Sequence, residues 1–394
     1  MIRSLLIAVA VTLPTTLTLN ASDPLAAHAA NGDDRDHHHH APALIAQQSG
    51  TTNRLQAISP VNSRVVWASG VGGTFVKTTD GGQTWTAGTV AGAEVLQFRD
   101  VQGVSDKVAY LLSAGTGTDS RIYKTEDGGV SWSLQFENQD PNAFYDCFAF
   151  WTPSRGLTTS DSVNGRFPAI RTTDGESWQD IGDRLPVAQA GESSFAASGT
   201  CVATQGSRRA WIGTGGALKA RILATTDGGE TWEAYDTPIV QGTASSGVFS
   251  VDFRDARHGI LGAGELAAPM AFADTVARSG DGGKTWQLGG QTPFPGAIYG
   301  LSYVRDHRLG QEDREADDRG GFGDDRGDAD DHHGDGSEEH GVVATGPAGA
   351  AWSADEGKTW VSLPGVDNYW AVAFASSEVG WLVGTEGRIL KIVF

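Results

Sequence analysis

Four carboxylates stand in short polar segments between apolar runs of strand length: Asp146, Asp161, Glu192 and Glu265. Paired carboxylates are what glycoside hydrolysis requires, one to protonate the leaving oxygen and one to attack or to activate water. The same kind of segment carries Glu94, Arg166, Ser246 and three tyrosines, Tyr145, Tyr299 and Tyr369. Acids, a guanidinium, phenols and a hydroxyl gathered on one surface suit a polar ligand, either a glycan or a protein segment. No spacing in the sequence pairs any two of the acids, so binding without chemistry is the first expectation and hydrolysis the alternative.

Whether these residues meet depends on the elements that carry them. Six segments repeat one phrase, first as Thr79-Asp80-Gly81-Gly82-Gln83-Thr84-Trp85, then around Asp127, Asp174, Asp227, Asp281 and Asp355. An Asp side chain accepts bonds from backbone N–H groups just ahead of it and fixes a tight turn. The glycines allow positive φ without a Cβ clash, and the tryptophan opens the next strand with a large apolar surface. The six tryptophans, from Trp85 to Trp360, are 47, 46, 54, 54 and 74 residues apart. A turn signature at that period is the mark of propeller blades. Glycine abounds (53 residues) and no stretch of the body keeps a helical apolar period, so the expected class is all-β.

The last unit, Tyr369–Phe374, Gly380–Val383 and Arg388–Val393, has three strands and lacks the phrase. Ala43–Gln47, an apolar run ahead of the first unit, is the expected fourth strand. It would join the two ends of the chain and remove an exposed edge. The expectation is a single propeller over residues 43–394 with seven four-stranded blades, six or eight being the alternatives.

The repeated phrase resembles the Asp-box (BNR) repeat of β-propellers. The whole-chain pattern is similar to the photosystem II stability and assembly factor-like group, through Val379-Gly380-Trp381-Leu382-Val383-Gly384 and Gly387-Arg388-Ile389-Leu390-Lys391. The resemblance implies that the six Asp residues are structural and lie away from the ligand face. It also implies a non-enzymatic binding or assembly role. Sialidases share the boxes, which gives the hydrolase alternative its form, a Tyr nucleophile with a partner Glu and an arginine triad. Their Arg-Ile-Pro near the first blade is absent here, and Gly165-Arg166-Phe167-Pro168 falls in the third unit. A quinoprotein-type oxidoreductase is a remote third reading. With no haem motif, dinucleotide fingerprint or vicinal cysteines, no cofactor is expected.

Aligned on their inner strands, the units share a small residue: Cys147, Cys201, Ser250, Gly300 and Ala371. The two cysteines thus fall at equivalent positions of neighbouring blades. They are expected as small core thiols facing one rotational sense, with a disulfide as the alternative. Loops entering the inner strands, and those joining second to third strands, would form a funnel opposite the boxes.

The ends and one insertion say where the protein works. Met1–Ala29 reads as a signal peptide, with a basic start, an apolar Leu5–Leu19 stretch and Ala27-His28-Ala29 for cleavage. The mature chain is expected to be soluble and periplasmic or secreted. Residues 30–42 form a His/Asp-rich linker, and 305–340 an acidic low-complexity insertion with 14 Asp and Glu against 5 Arg. That insertion supplies about half of the net charge of −19. No concentrated basic face exists, which excludes nucleic acid as a partner. The His/Asp-rich segments are expected to collect divalent metal loosely, and no fixed metal site is expected.

Overall fold

A computed structural model describes residues 41–305 and 341–394; the signal segment and nearly all of the linker and insertion lie outside them. Seven four-stranded antiparallel sheets follow one another. Blade 1 runs Leu55–Pro60, Val66–Gly70, Thr74–Thr78 and Thr86–Thr89, and blades 2 to 6 repeat the order from inner to outer strand. The chain is a seven-bladed β-propeller.

Its seventh blade is composite. Ala43–Gln48 pairs with Arg388–Val393, from Ala43 opposite Val393 to Gln48 opposite Arg388, and becomes the outer strand beside Tyr369–Phe374 and Val379–Gly384. The Gln47 side chain fastens this closure. Its Oε1 accepts the indole N–H of Trp381 in blade 7 (3.1 Å) and of Trp85 in blade 1 (3.0 Å). Gly82 in the first Asp turn lies against the same amide, where a Cβ would overlap it.

The core is distributed between blades rather than at one centre. Seven apolar clusters each join two neighbouring blades, and the last joins Leu55, Ile58 and Val76 of blade 1 to Ala371, Val379 and Trp381 of blade 7. The deepest tryptophans are not those of the repeated phrase. Trp67, Trp211 and Trp381, on second strands, and Trp151 on an inner strand are fully buried. Three of them send the indole N–H to a backbone carbonyl of the next blade: Trp67 to Ser105 (2.8 Å), Trp151 to Arg209 (2.6 Å) and Trp211 to Gly282 (2.8 Å).

The Asp turns behave as the sequence chemistry requires. Asp227 Oδ1 accepts the backbone N–H of Glu230 (2.9 Å) and Thr231 (3.0 Å), while Oδ2 accepts the Thr231 hydroxyl (2.5 Å). Gly228 and Gly229 take φ of 79° and 85°. In the sixth turn Glu356 replaces the first glycine at φ 58°, and Arg254 pairs with its carboxylate. The turns also clip blades together, because cations on third strands reach turn carbonyls of the following blade. Lys77 binds Gly128 O (2.8 Å), Arg171 binds Gly228 O (2.8 Å) and Lys391 binds Gly81 O across the closure (3.1 Å).

Cys147 and Cys201 form a disulfide, contrary to the expectation of free thiols. Equivalent inner-strand positions converge near the axis, which brings their Cα atoms to 5.9 Å, within the usual reach of the bond.

Candidate functional site

At the start of five inner strands, one residue upstream of the aligned axial position, the strand carries an extra residue that the second strand does not match. Register shifts mark Gln56, Arg99, Asp146, Phe249 and Trp370 as these bulge residues, and Thr200 and Tyr299 hold the same place in blades 4 and 6. A bulge re-aims its side chain out of the regular alternation. All seven lie at the inner-strand starts, at the end opposite the Asp turns.

Five of the seven line a pocket of about 350 Å³, walled by Phe144, Phe195, Phe249, Tyr299 and Trp370, with Arg99, Asp146, Asp161 and Ser193 as its polar groups. The aromatic side chains form an arc. Phe195 stacks on Phe249 (4.4 Å between centroids), Phe249 lies parallel to Tyr299 (5.8 Å), and Tyr299 meets Trp370 edge to face (4.9 Å). The Arg54 guanidinium covers the outer end, 4.5 Å from the Trp370 ring.

The polar groups are desolvated. Asp146 is buried and its Oδ2 has no hydrogen-bond partner. Burial and the neighbouring Asp161 charge push its carboxyl well above the usual range, against the pull of Arg99. Asp161 accepts the Ser194 N–H (3.1 Å), yet burial raises it to about 6. Arg99 donates to Ala196 O (3.2 Å) and Gln97 Oε1 (3.0 Å) and faces the Phe144 ring. Burial lowers its pKa, while Asp146 acts in the other direction.

The residues singled out in the sequence are distributed unevenly about this pocket. Asp146, Asp161 and Tyr299 line it. Glu192 does not: fully buried, it takes Arg221 Nε (2.8 Å) and a terminal Arg221 nitrogen (2.5 Å), the Thr214 hydroxyl (2.6 Å) and the Gln189 N–H (2.8 Å). It is a strut between a loop and blade 4. Glu265 is spent on the Thr243 and Ser245 hydroxyls and the Ala267 N–H (2.8 Å), which shape its own loop. Arg166 turns to Asp183 (2.6 Å) and Asp180 (2.7 Å) of its own blade. Glu94 caps the Gly92 N–H (3.0 Å), Ser246 bonds within its turn to Thr243 (3.0 Å), and Tyr145 and Tyr369 are buried in inter-blade clusters.

Sequence reasoning placed Phe144, Phe195 and Trp370 only as members of the funnel loops 142–146, 192–199 and 367–370, and did not reach Arg54, Arg99 or Phe249. The signal was one position upstream of the aligned small residues, as in Phe249-Ser250 and Trp370-Ala371. Among the described residues no group of three His, Cys, Asp or Glu is placed to hold a metal.

With this geometry in hand, solved structures supply the context. A structure of YCF48 bound to a D1 peptide aligns over 89% of this chain and 97% of its own, at 16% identity and a TM-score of 0.57. The propeller is similar to that of YCF48. A second YCF48, from Cyanidioschyzon merolae, aligns over 89% of this chain and 99% of its own, at 14% identity and a TM-score of 0.55. The WD40 β-propeller domain of Doa1 aligns over 89% and 97%, at 11% identity and 0.50. No family model matches the chain, and no curated protein does. At these identities the YCF48 likeness is one of fold, so the pocket has to be read from its own residues.

Proposed function

We propose that this chain is an exported, non-enzymatic binding or assembly module that holds a protein segment in the funnel opposite its Asp turns. The observation that carries this reading is a set of exposed apolar side chains around an aromatic-walled pocket. The aromatic arc lines its centre, and Val95, Val187, Leu218, Met270 and Phe272 stand 58–87% exposed on the loops around it. Those loops either enter inner strands or join second to third strands, so they belong to the funnel end. Exposed apolar side chains grouped in this way match a protein partner. The YCF48 structure with its D1 peptide supports the same class of ligand. Export is supported by the signal-like Met1–Ala29 and by the disulfide, a bond that persists in oxidising compartments.

A rigid ring suits this work, because a preformed surface avoids the ordering cost of assembling a site on binding. The test is to screen the purified chain in parallel on an array of random dodecapeptides and on a glycan array, with Phe249→Ala/Trp370→Ala as the comparison. The reading expects peptides retained by the wild type and lost by the variant. Retention of glycans alone, or of peptides equally by both proteins, would overturn it.

One observation favours the hydrolase reading, namely two neighbouring carboxylates held above their usual range. Both belong to blade 3, at an inner strand and at the end of the second strand, and so sit on one side of any ligand rather than flanking a bond. Turnover of fluorogenic glycosides that Asp146→Asn abolishes would reinstate it.

A further inference from the structure

We propose that the funnel takes one basic side chain of the bound segment, a lysine or an arginine, with Asp146 and Asp161 as its counter-charge and the aromatic arc as its wall. This rests on the reading of the funnel as a site for a protein segment.

Asp146 carries the argument. It is 1% exposed, it lines the pocket, and its Oδ2 meets no donor. A buried acceptor without a donor is costly, and a charged one more so. A carboxylate oxygen only accepts, so the missing partner is an N–H or O–H group. The nearest cation does not fill the role: Arg99 directs its two terminal nitrogens to Ala196 O and Gln97 Oε1 and lies against Phe144. The second acid, Asp161, is held facing the same space by the Ser194 N–H. Of the two arginines nearby, Arg99 acts on Asp146, whereas Arg54 stands farther out over Trp370, so the two carboxylates leave room for a further positive charge.

The wall has matching chemistry. Aromatic faces attract cations, and a guanidinium stacks on them while its edge pairs with a carboxylate. Arg54 already lies over one end of the arc in this way, whereas Phe249 and Tyr299 lie parallel beside the pocket. A pocket of about 350 Å³ accommodates a lysine or arginine side chain.

The charged and titratable groups around the acid pair are Arg99 from blade 2, which acts on Asp146, and Tyr299 from blade 6 in the same pocket, with Arg54 beyond them over Trp370. Burial raises both carboxyls, Asp161 to about 6, so protons compete with an incoming cation for this pair as pH falls. Affinity for a basic segment therefore rises with pH through about 6.

The experiment uses the purified chain and the dodecapeptide array. The peptides it retains should share an Arg or Lys at one position. Replacing that residue in the tightest peptide by citrulline or norleucine should weaken binding about 30-fold, the scale for removing one partner of a desolvated charge pair. Against Asp146→Asn/Asp161→Asn the same replacement should change affinity less than about 3-fold. Changing the peptide leaves the protein untouched, so a folding defect in the variant cannot imitate the first result. Retained peptides without a basic residue, or with an essential carboxylate that would face Arg99 and Arg54, overturn the inference and leave the binding reading intact. If no peptide is retained, the reading itself fails, and the inference with it.

Discussion

Replacing Gln47 by leucine should open the ring. Gln47 Oε1 accepts two indole N–H groups, from Trp381, which is fully buried, and from Trp85, which is partly buried. Leucine keeps the bulk and removes the acceptor. A buried donor left without a partner costs about 1–3 kcal/mol, and the more accessible Trp85 recovers part of its bond from water. The sum is about 2–4 kcal/mol. With a urea dependence of about 3 kcal/mol/M, that shifts the unfolding midpoint down by about 1 M. Tryptophan fluorescence in a urea titration reads it directly. Gln48→Leu is the control, an exposed residue on the same strand with no such bonds in the structure. If Gln47→Leu unfolds within about 0.2 M of the control, the Gln47 clasp does not hold the closure and the reasoning fails.

Four further outcomes follow from the same physics. Reducing Cys147–Cys201, which closes a 54-residue separation, should cost about 2–4 kcal/mol, read as a lower urea midpoint in Cys147→Ser/Cys201→Ser. Hydrogen bonds from Thr84 and Ser131 hold Asp80 and Asp127 at about 2, so the stability they contribute is complete above pH 4 and lost as pH falls towards 2. Asp146 and Asp161 have the opposite sign: raised in the fold, they favour the native state at low pH and less so as pH climbs through 6. Asp161→Asn should therefore gain on the wild type between pH 4 and pH 8, as measured by urea midpoints. Arg221→Met should cost about 3–5 kcal/mol, because it strands the fully buried Glu192, and the loss should be recovered in Glu192→Met/Arg221→Met.

The architecture was readable because its signals are local. Each Asp turn states its geometry within seven residues, and the apolar run at Ala43–Gln47 stands beside a last unit that is one strand short. The pocket was harder to read, because its side chains come from bulges. Tyr145 and Asp146 are adjacent, but one is buried between blades and the other lines the funnel, and only the position of the irregularity decides which. Glu192 and Arg166 carry suitable chemistry, but their partners, Arg221 on the next blade and the Asp180–Asp183 turn, are non-local or conformational facts that spacing does not reveal. The cysteine pair shows the same limit: equivalent positions were identifiable, but the convergence of inner strands that brings the Cα atoms to 5.9 Å was not.

Amide hydrogen exchange of the chain, with and without its tightest arrayed dodecapeptide, tests the central claim most directly. The account predicts slowed exchange at residues 142–147, 193–200, 296–300 and 367–371, around the funnel, with the Asp turns at 80–85, 127–132 and 227–232 unchanged. Protection confined to the turns, or spread evenly over both faces, would contradict it.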